Sequence, residues 1–92
     1  EDNRFLTSVN DLRSREIISY PNPFSNRTQI DFENPMKQPY QLIITDMSGK
    51  IVKVIKDIRD DKVVVLRENL PQGFYLFELK GETVYRGKFI IE

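Results

Sequence analysis

The sequence predicts an all-β domain, an antiparallel two-sheet Ig-like β-sandwich of about seven strands. Three observations carry this expectation. From residue 16 onward, apolar residues recur with a period of two, the spacing of a strand that buries one face. The runs are short, and proline, glycine and asparagine turns separate them at the intervals of a sandwich. Nothing longer than a turn has helical spacing after residue 16, so the crossover helices of a parallel sheet are missing. "Ig-like" describes architecture alone, because the chain has no cysteine and no tryptophan to form the Ig core hallmarks.

The elements follow in order. Residues 1–15 are polar and read as a linker, although Phe5, Val9 and Leu12 keep helical spacing and leave a short amphipathic turn open. The first expected strand, Glu16 to Tyr20, stops at Pro21 and Pro23, which cannot donate to a ladder. Pro21-Asn22-Pro23 then reads as a stiff, extended lead-in. The second strand runs from Thr28 to Glu33 and ends at Asn34-Pro35. In the third, Tyr40 to Asp46, Leu42 and Ile44 share a face opposite Gln41, Ile43 and Thr45. Met47-Ser48-Gly49 reads as a tight hairpin turn in which Gly49 supplies positive φ and the Asp46 carboxylate accepts backbone N–H bonds. In the fourth, Lys50 to Lys56, Val52 and Val54 oppose Ile51, Lys53 and Ile55. The fifth is Val63 to Leu66. The sixth, Gly73 to Lys80, points Tyr75, Phe77 and Leu79 one way and Phe74, Leu76 and Glu78 the other. In the seventh, Thr83 to Ile91, Tyr85, Phe89 and Ile91 share a face with Gly87.

Composition removes several function classes. Ninety-two residues make one small domain. Lys plus Arg equals Asp plus Glu at 14 each, so there is no electrostatic case for nucleic acid or an anionic membrane as a partner. The chain lacks cysteine and histidine, and with them disulfides, thiolate metal sites, cysteine nucleophiles and the commonest general base. No apolar run approaches the roughly 20 residues of a membrane span. Glu1 in place of Met points to a piece of a larger protein. Ser8, Ser14, Ser19, Ser25 and Ser48 have no catalytic motif around them, and a sandwich this small has little room for a two-carboxylate sugar cleft. The carboxylates of Asp57, Asp60 and Asp61 lack a turn glycine and are interrupted by Arg59 and Lys62. They read as a solvated loop rather than a calcium site. The expectation is therefore no enzyme, no metal and no cofactor.

Four stretches remain: Tyr20-Pro21-Asn22-Pro23-Phe24, Asp46-Met47-Ser48-Gly49-Lys50, Leu70-Pro71-Gln72-Gly73-Phe74-Tyr75 and Lys88-Phe89-Ile90-Ile91-Glu92. Each of the first three is common turn chemistry. Their order and spacing resemble the C-terminal sorting domain of cargo carried by the type IX (Por) secretion system of Bacteroidetes-group bacteria. That family shows Pro-Asn-Pro near its start, an Asp-x-x-Gly-Lys/Arg hairpin, a Leu-x-x-Gly-x-Tyr strand start and a basic-plus-apolar final strand. The frequent terminal Lys of the family is Glu92 here.

The resemblance implies a β-sandwich over residues 16–92 that signals export and has no chemistry of its own. Its implied partners are the outer-membrane translocon with its shuttle proteins, a sortase-like signal peptidase that cuts within residues 1–15, and the cargo on the N-terminal side of the same chain. The implied destination is the medium or the cell surface, reached through the periplasm and outer membrane. The residues it marks for the signal are Pro21, Asn22, Pro23, Gly49, Lys50, Gly73, Tyr75, Lys88, Phe89, Ile90 and Ile91, with the last strand exposed for reading by edge addition of a partner strand. The rival readings are a carbohydrate-binding sandwich, which needs exposed coplanar aromatics on one face, and a passive Ig-like spacer or adhesion module.

Overall fold

In the computed structural model, which describes residues 14–92, the alternating runs form eight strands. They are β1 (Ser14–Glu16), β2 (Ser19–Tyr20), β3 (Arg27–Asp31), β4 (Tyr40–Asp46), β5 (Ile51–Ile58), β6 (Lys62–Leu66), β7 (Gly73–Lys80) and β8 (Val84–Ile91). A five-stranded sheet has the order β1-β8-β7-β4-β5, and a three-stranded sheet the order β2-β3-β6. All pairings are antiparallel except β1 on β8. The all-β two-sheet sandwich expected from the sequence is the fold observed. The helical spacing of Phe5, Val9 and Leu12 and most of the expected linker lie outside the described residues.

The additional strand arises because pairing begins before the expected start at Glu16: Ser14 and Arg15, read as linker, join Glu16 in β1, and the segment through Tyr20 then serves both sheets. Ser14–Glu16 lies along Val84–Arg86, the Ile17 N–H donates to the Arg86 carbonyl at 2.9 Å, and Ser19–Tyr20 then pairs with Gln29–Ile30 in the other sheet. Gly87 makes this crossing possible. A Cβ built there would lie 2.4 Å from Cζ of Phe77 and 2.5 Å from the Ile17 carbonyl oxygen.

The core lies between the sheets. Ile30, Val63 and Val65 come from the smaller one, facing Leu42, Ile44, Tyr75, Phe77, Leu79, Phe89 and Ile91 of the larger. At one end Phe32, Tyr40 and Tyr85 pack ring against ring at 5.0–6.1 Å between centroids. The Tyr85 hydroxyl donates to the Glu33 carbonyl, and burial raises its pKa. Leu70, partly buried, packs against the core as well.

Three expectations need correction. The simple alternation in β5 fails, because register shifts give this strand an extra residue between its Ile58 and Ile55 pairings and another between Lys53 and Ile51. Val52 and Ile55, expected on opposite faces, both pack against the core, whereas Val54 is exposed. The strand also runs on through buried Ile58, with Asp57 at φ 59°, so the expected loop from Asp57 shrinks to residues 59–61. Pro21-Asn22-Pro23 is not an extended lead-in but a set of bends. The chain must turn there, because Tyr20 is paired in the small sheet while Asn22 and Phe24 bond to β8 in the large one.

Candidate functional site

The four turn and strand motifs are far apart in the chain and meet at one end of the five-stranded sheet. Register places Asp46 opposite Tyr75, Tyr75 opposite Phe89, and Gly73 opposite Ile91. The β4–β5 hairpin, the start of β7 and the end of β8 are therefore neighbours.

The hairpin is organised by one carboxylate oxygen. Asp46 Oδ1 accepts from the Ser48 N–H at 2.9 Å, the Ser48 hydroxyl at 2.6 Å and the Lys50 N–H at 3.1 Å. Gly49, at φ 92°, donates its N–H to the Asp46 carbonyl, as the turn chemistry predicts. The Ser48 hydroxyl first, then the Lys50 N–H, hold the Asp46 carboxyl below its ordinary value of 3.8. A depressed carboxyl stabilises the fold fully above its unfolded value, and that contribution is lost as pH falls through the folded value. Asp46→Asn is expected to lower stability at neutral pH and to flatten the acid side of the stability curve, read by urea denaturation at a series of pH values.

Tyr75 is buried by its ring and donates its hydroxyl to the Pro71 carbonyl, as expected for an amphipathic core residue. Gly73 takes positive φ at 153° where the chain turns into β7. Phe89 is fully buried among three rings, with centroids at 5.2 Å to Phe24, 5.7 Å to Tyr75 and 6.0 Å to Phe77. Ile91 is buried beside it. Of the last-strand residues singled out in the sequence, only Lys88 and the half-buried Ile90 point outward.

The position of β8 corrects the expectation of an edge strand open to strand addition. β8 lies between β1 and β7, and beyond β1 its outer edge is closed by the proline turn. The Asn22 amide acts there as a one-residue strand: Nδ2 donates to the Lys88 carbonyl at 3.3 Å and Oδ1 accepts from the Ile90 N–H at 2.9 Å. Phe24 continues the ladder, donating its N–H to the Ile90 carbonyl and accepting from the Glu92 N–H, each at 3.0 Å. Pro21 supplies the carbonyl that receives the buried Thr28 hydroxyl at 2.8 Å. Removing the amide by Asn22→Ala is expected to cost about 1–3 kcal/mol, the usual worth of two such bonds. It should also speed exchange of the Ile90 amide selectively, as read by hydrogen exchange.

Arg67 was not singled out by sequence reasoning, yet it ties three segments. Its Nε donates to the Leu70 carbonyl at 2.9 Å, and Nη1 reaches main-chain oxygens of Ser25 at 3.3 Å and Glu92 at 3.0 Å. No local pattern marks it, because two of its three partners are remote in sequence.

One end of the outer face of the five-stranded sheet is apolar. Phe74 and Leu76 are exposed beside Ile90, and Met47, Ile51 and Val54 are exposed on the β4–β5 side. A hollow there is lined by Asn22, Met47, Phe74, Leu76, Lys88 and Ile90. The outer face of the small sheet differs: Val64 and Leu66 are interspersed with Arg27, Lys62 and a hydrogen-bonded set of Tyr20, Gln29 and Asp31. Among the described residues the only exposed aromatics are therefore Tyr20 and Phe74, and they lie on different sheets. The coplanar platform that a carbohydrate-binding sandwich would use is not formed by them.

A family model described as the secretion system C-terminal sorting domain matches residues 19–92. No curated protein matches the chain.

Proposed function

The chain belongs to the family of type IX secretion system C-terminal sorting domains, and from that premise we propose that residues 16–92 act as a folded export signal for a larger cargo protein. The cargo, on the N-terminal side, is delivered to the periplasm by its own Sec signal. The folded domain docks on the outer-membrane translocon with its shuttle proteins, and the cargo crosses. A sortase-like peptidase then cuts within residues 1–15 and the cargo is released or attached to the surface. The domain carries out no chemistry in this scheme. It presents a surface and is discarded.

The observation that supports this reading best is the convergence of the four motifs. Pro21, Asn22 and Pro23 close the edge of β8, Gly49 and Lys50 form the adjacent hairpin, and Gly73 and Tyr75 support β8 from β7. Residues far apart in the chain are thus gathered at the end of the sheet where β8 finishes, and the proline turn and β7 hold Lys88 to Ile91 directly. A passive spacer has no need for such concentration at one end.

The test fuses residues 1–92 behind a Sec-targeted fluorescent reporter in a type IX-competent bacterium, with a matched strain lacking the translocon. Reporter in the medium or on the surface of the competent strain alone is the expected result. Reporter retained in the periplasm of both strains would leave the spacer reading in place.

A further inference from the structure

Little of β8 is open to a partner. Phe89 and Ile91 are buried, the edge towards β7 is paired along its length, and the opposite edge is occupied by Ile17, Asn22 and Phe24. What faces solvent is the row Arg86, Lys88 and Ile90. Arg86 is neutralised by Glu78 at 3.0 Å, and the same carboxylate holds Lys80 at 3.6 Å. Lys88 has no ion-pair partner among the described residues. It stands opposite Leu76 and lines the hollow together with Met47 and Phe74. A lone lysine on a sheet is commonly explained as protection of an edge strand. That explanation does not serve an interior strand whose edges are already bonded.

We infer that this hollow is the docking site for a segment of the export machinery that carries a large apolar side chain beside a carboxylate. The apolar group seats against Met47, Phe74 and Leu76, and the carboxylate pairs with Lys88. The inference rests on the sorting-signal reading and adds to it the face used and the chemistry of the partner. Charge complementarity selects this occupant. A purely apolar partner would bury the Lys88 ammonium without a counter-charge, which is unfavourable. A second copy packed by two-fold symmetry on the same face would bring two unpaired Lys88 side chains into one interface.

The test uses the same reporter fusion with Phe74→Ser, Lys88→Glu and Lys88→Arg, each purified and checked for an unchanged melting transition. These side chains are exposed, so the fold is expected to survive. Export should fall at least about tenfold for Phe74→Ser and Lys88→Glu, a loss equivalent to about 1.4 kcal/mol of docking. Lys88→Arg should retain export. A photo-crosslinking phenylalanine analogue at position 74 should capture an Asp- or Glu-bearing segment of a translocon component. Folded Phe74→Ser or Lys88→Glu exported like the parent overturns the inference, as does crosslinking to a second copy or to the reporter. If the unmodified fusion itself stays in the periplasm, the sorting reading fails instead. Normal export of that fusion with unaffected variants removes this docking site alone.

Discussion

Phe89→Ala is expected to remove roughly 3–5 kcal/mol, the usual cost of truncating a buried phenylalanine. Small domains have about 5–15 kcal/mol in total. The side chain is fully buried, and its loss leaves the rings of Phe24, Tyr75 and Phe77 without their common neighbour. Phe24 lies on the segment that closes the edge of β8, Tyr75 and Phe77 on β7, so collapse into the cavity would have to move both sides of the strand at once. The measurement is urea denaturation of the purified domain followed by tyrosine fluorescence and circular dichroism. A loss below about 1 kcal/mol, the scale of a mild core trimming, would mean that the ring cluster is not the centre of the core.

Gly87→Ala is expected to be damaging for the opposite reason, the addition of one methyl group. The new Cβ would meet Cζ of Phe77 at 2.4 Å and the Ile17 carbonyl at 2.5 Å. Neither can yield easily. The Phe77 ring is buried among core side chains, and the Ile17 residue is held by its own N–H bond to Arg86. Overpacking of this kind costs about 1–3 kcal/mol and occasionally more. Its distinctive sign is local: β1 should be displaced from β8, and the Ile17 amide should exchange rapidly while β4 and β5 remain protected. Hydrogen exchange of the folded variant reads this directly. Unchanged protection at Ile17 would show that the close approach is not what limits residue 87 to glycine.

The fold and part of the site were legible in the sequence because both depend on local chemistry. Alternation in β4 and β7 put Leu42, Ile44, Tyr75, Phe77 and Leu79 in the core as read. The Asp46 carboxylate and Gly49 formed the predicted turn because donors and acceptor lie within four residues of each other. The sheet change at residues 17–18 was hidden, since inward and outward positions go on alternating across it. The bulges in β5 were hidden too, because no glycine marks them and Asp57 adopts positive φ itself. Strand order was the largest gap. Nothing near Lys88 tells that its carbonyl is met by an asparagine 66 residues earlier. The apolar outer face was written in the alternation as Phe74 and Leu76, but its extent required the pairing of β7 with β8 and β4.

The asparagine clasp also sets an order of events during synthesis. A ribosome delivers the N-terminal proline turn long before β8, and the two Asn22 bonds span 66 and 68 residues. Contacts of such separation close late and slowly. Until Lys88 to Ile91 have emerged, β7 lacks its neighbour, Asn22 has nothing to bind and the ring cluster lacks its central member. A chain broken off by premature termination or by proteolysis ahead of that strand never assembles this surface. The fold can thus mature only once translation has run through to this strand.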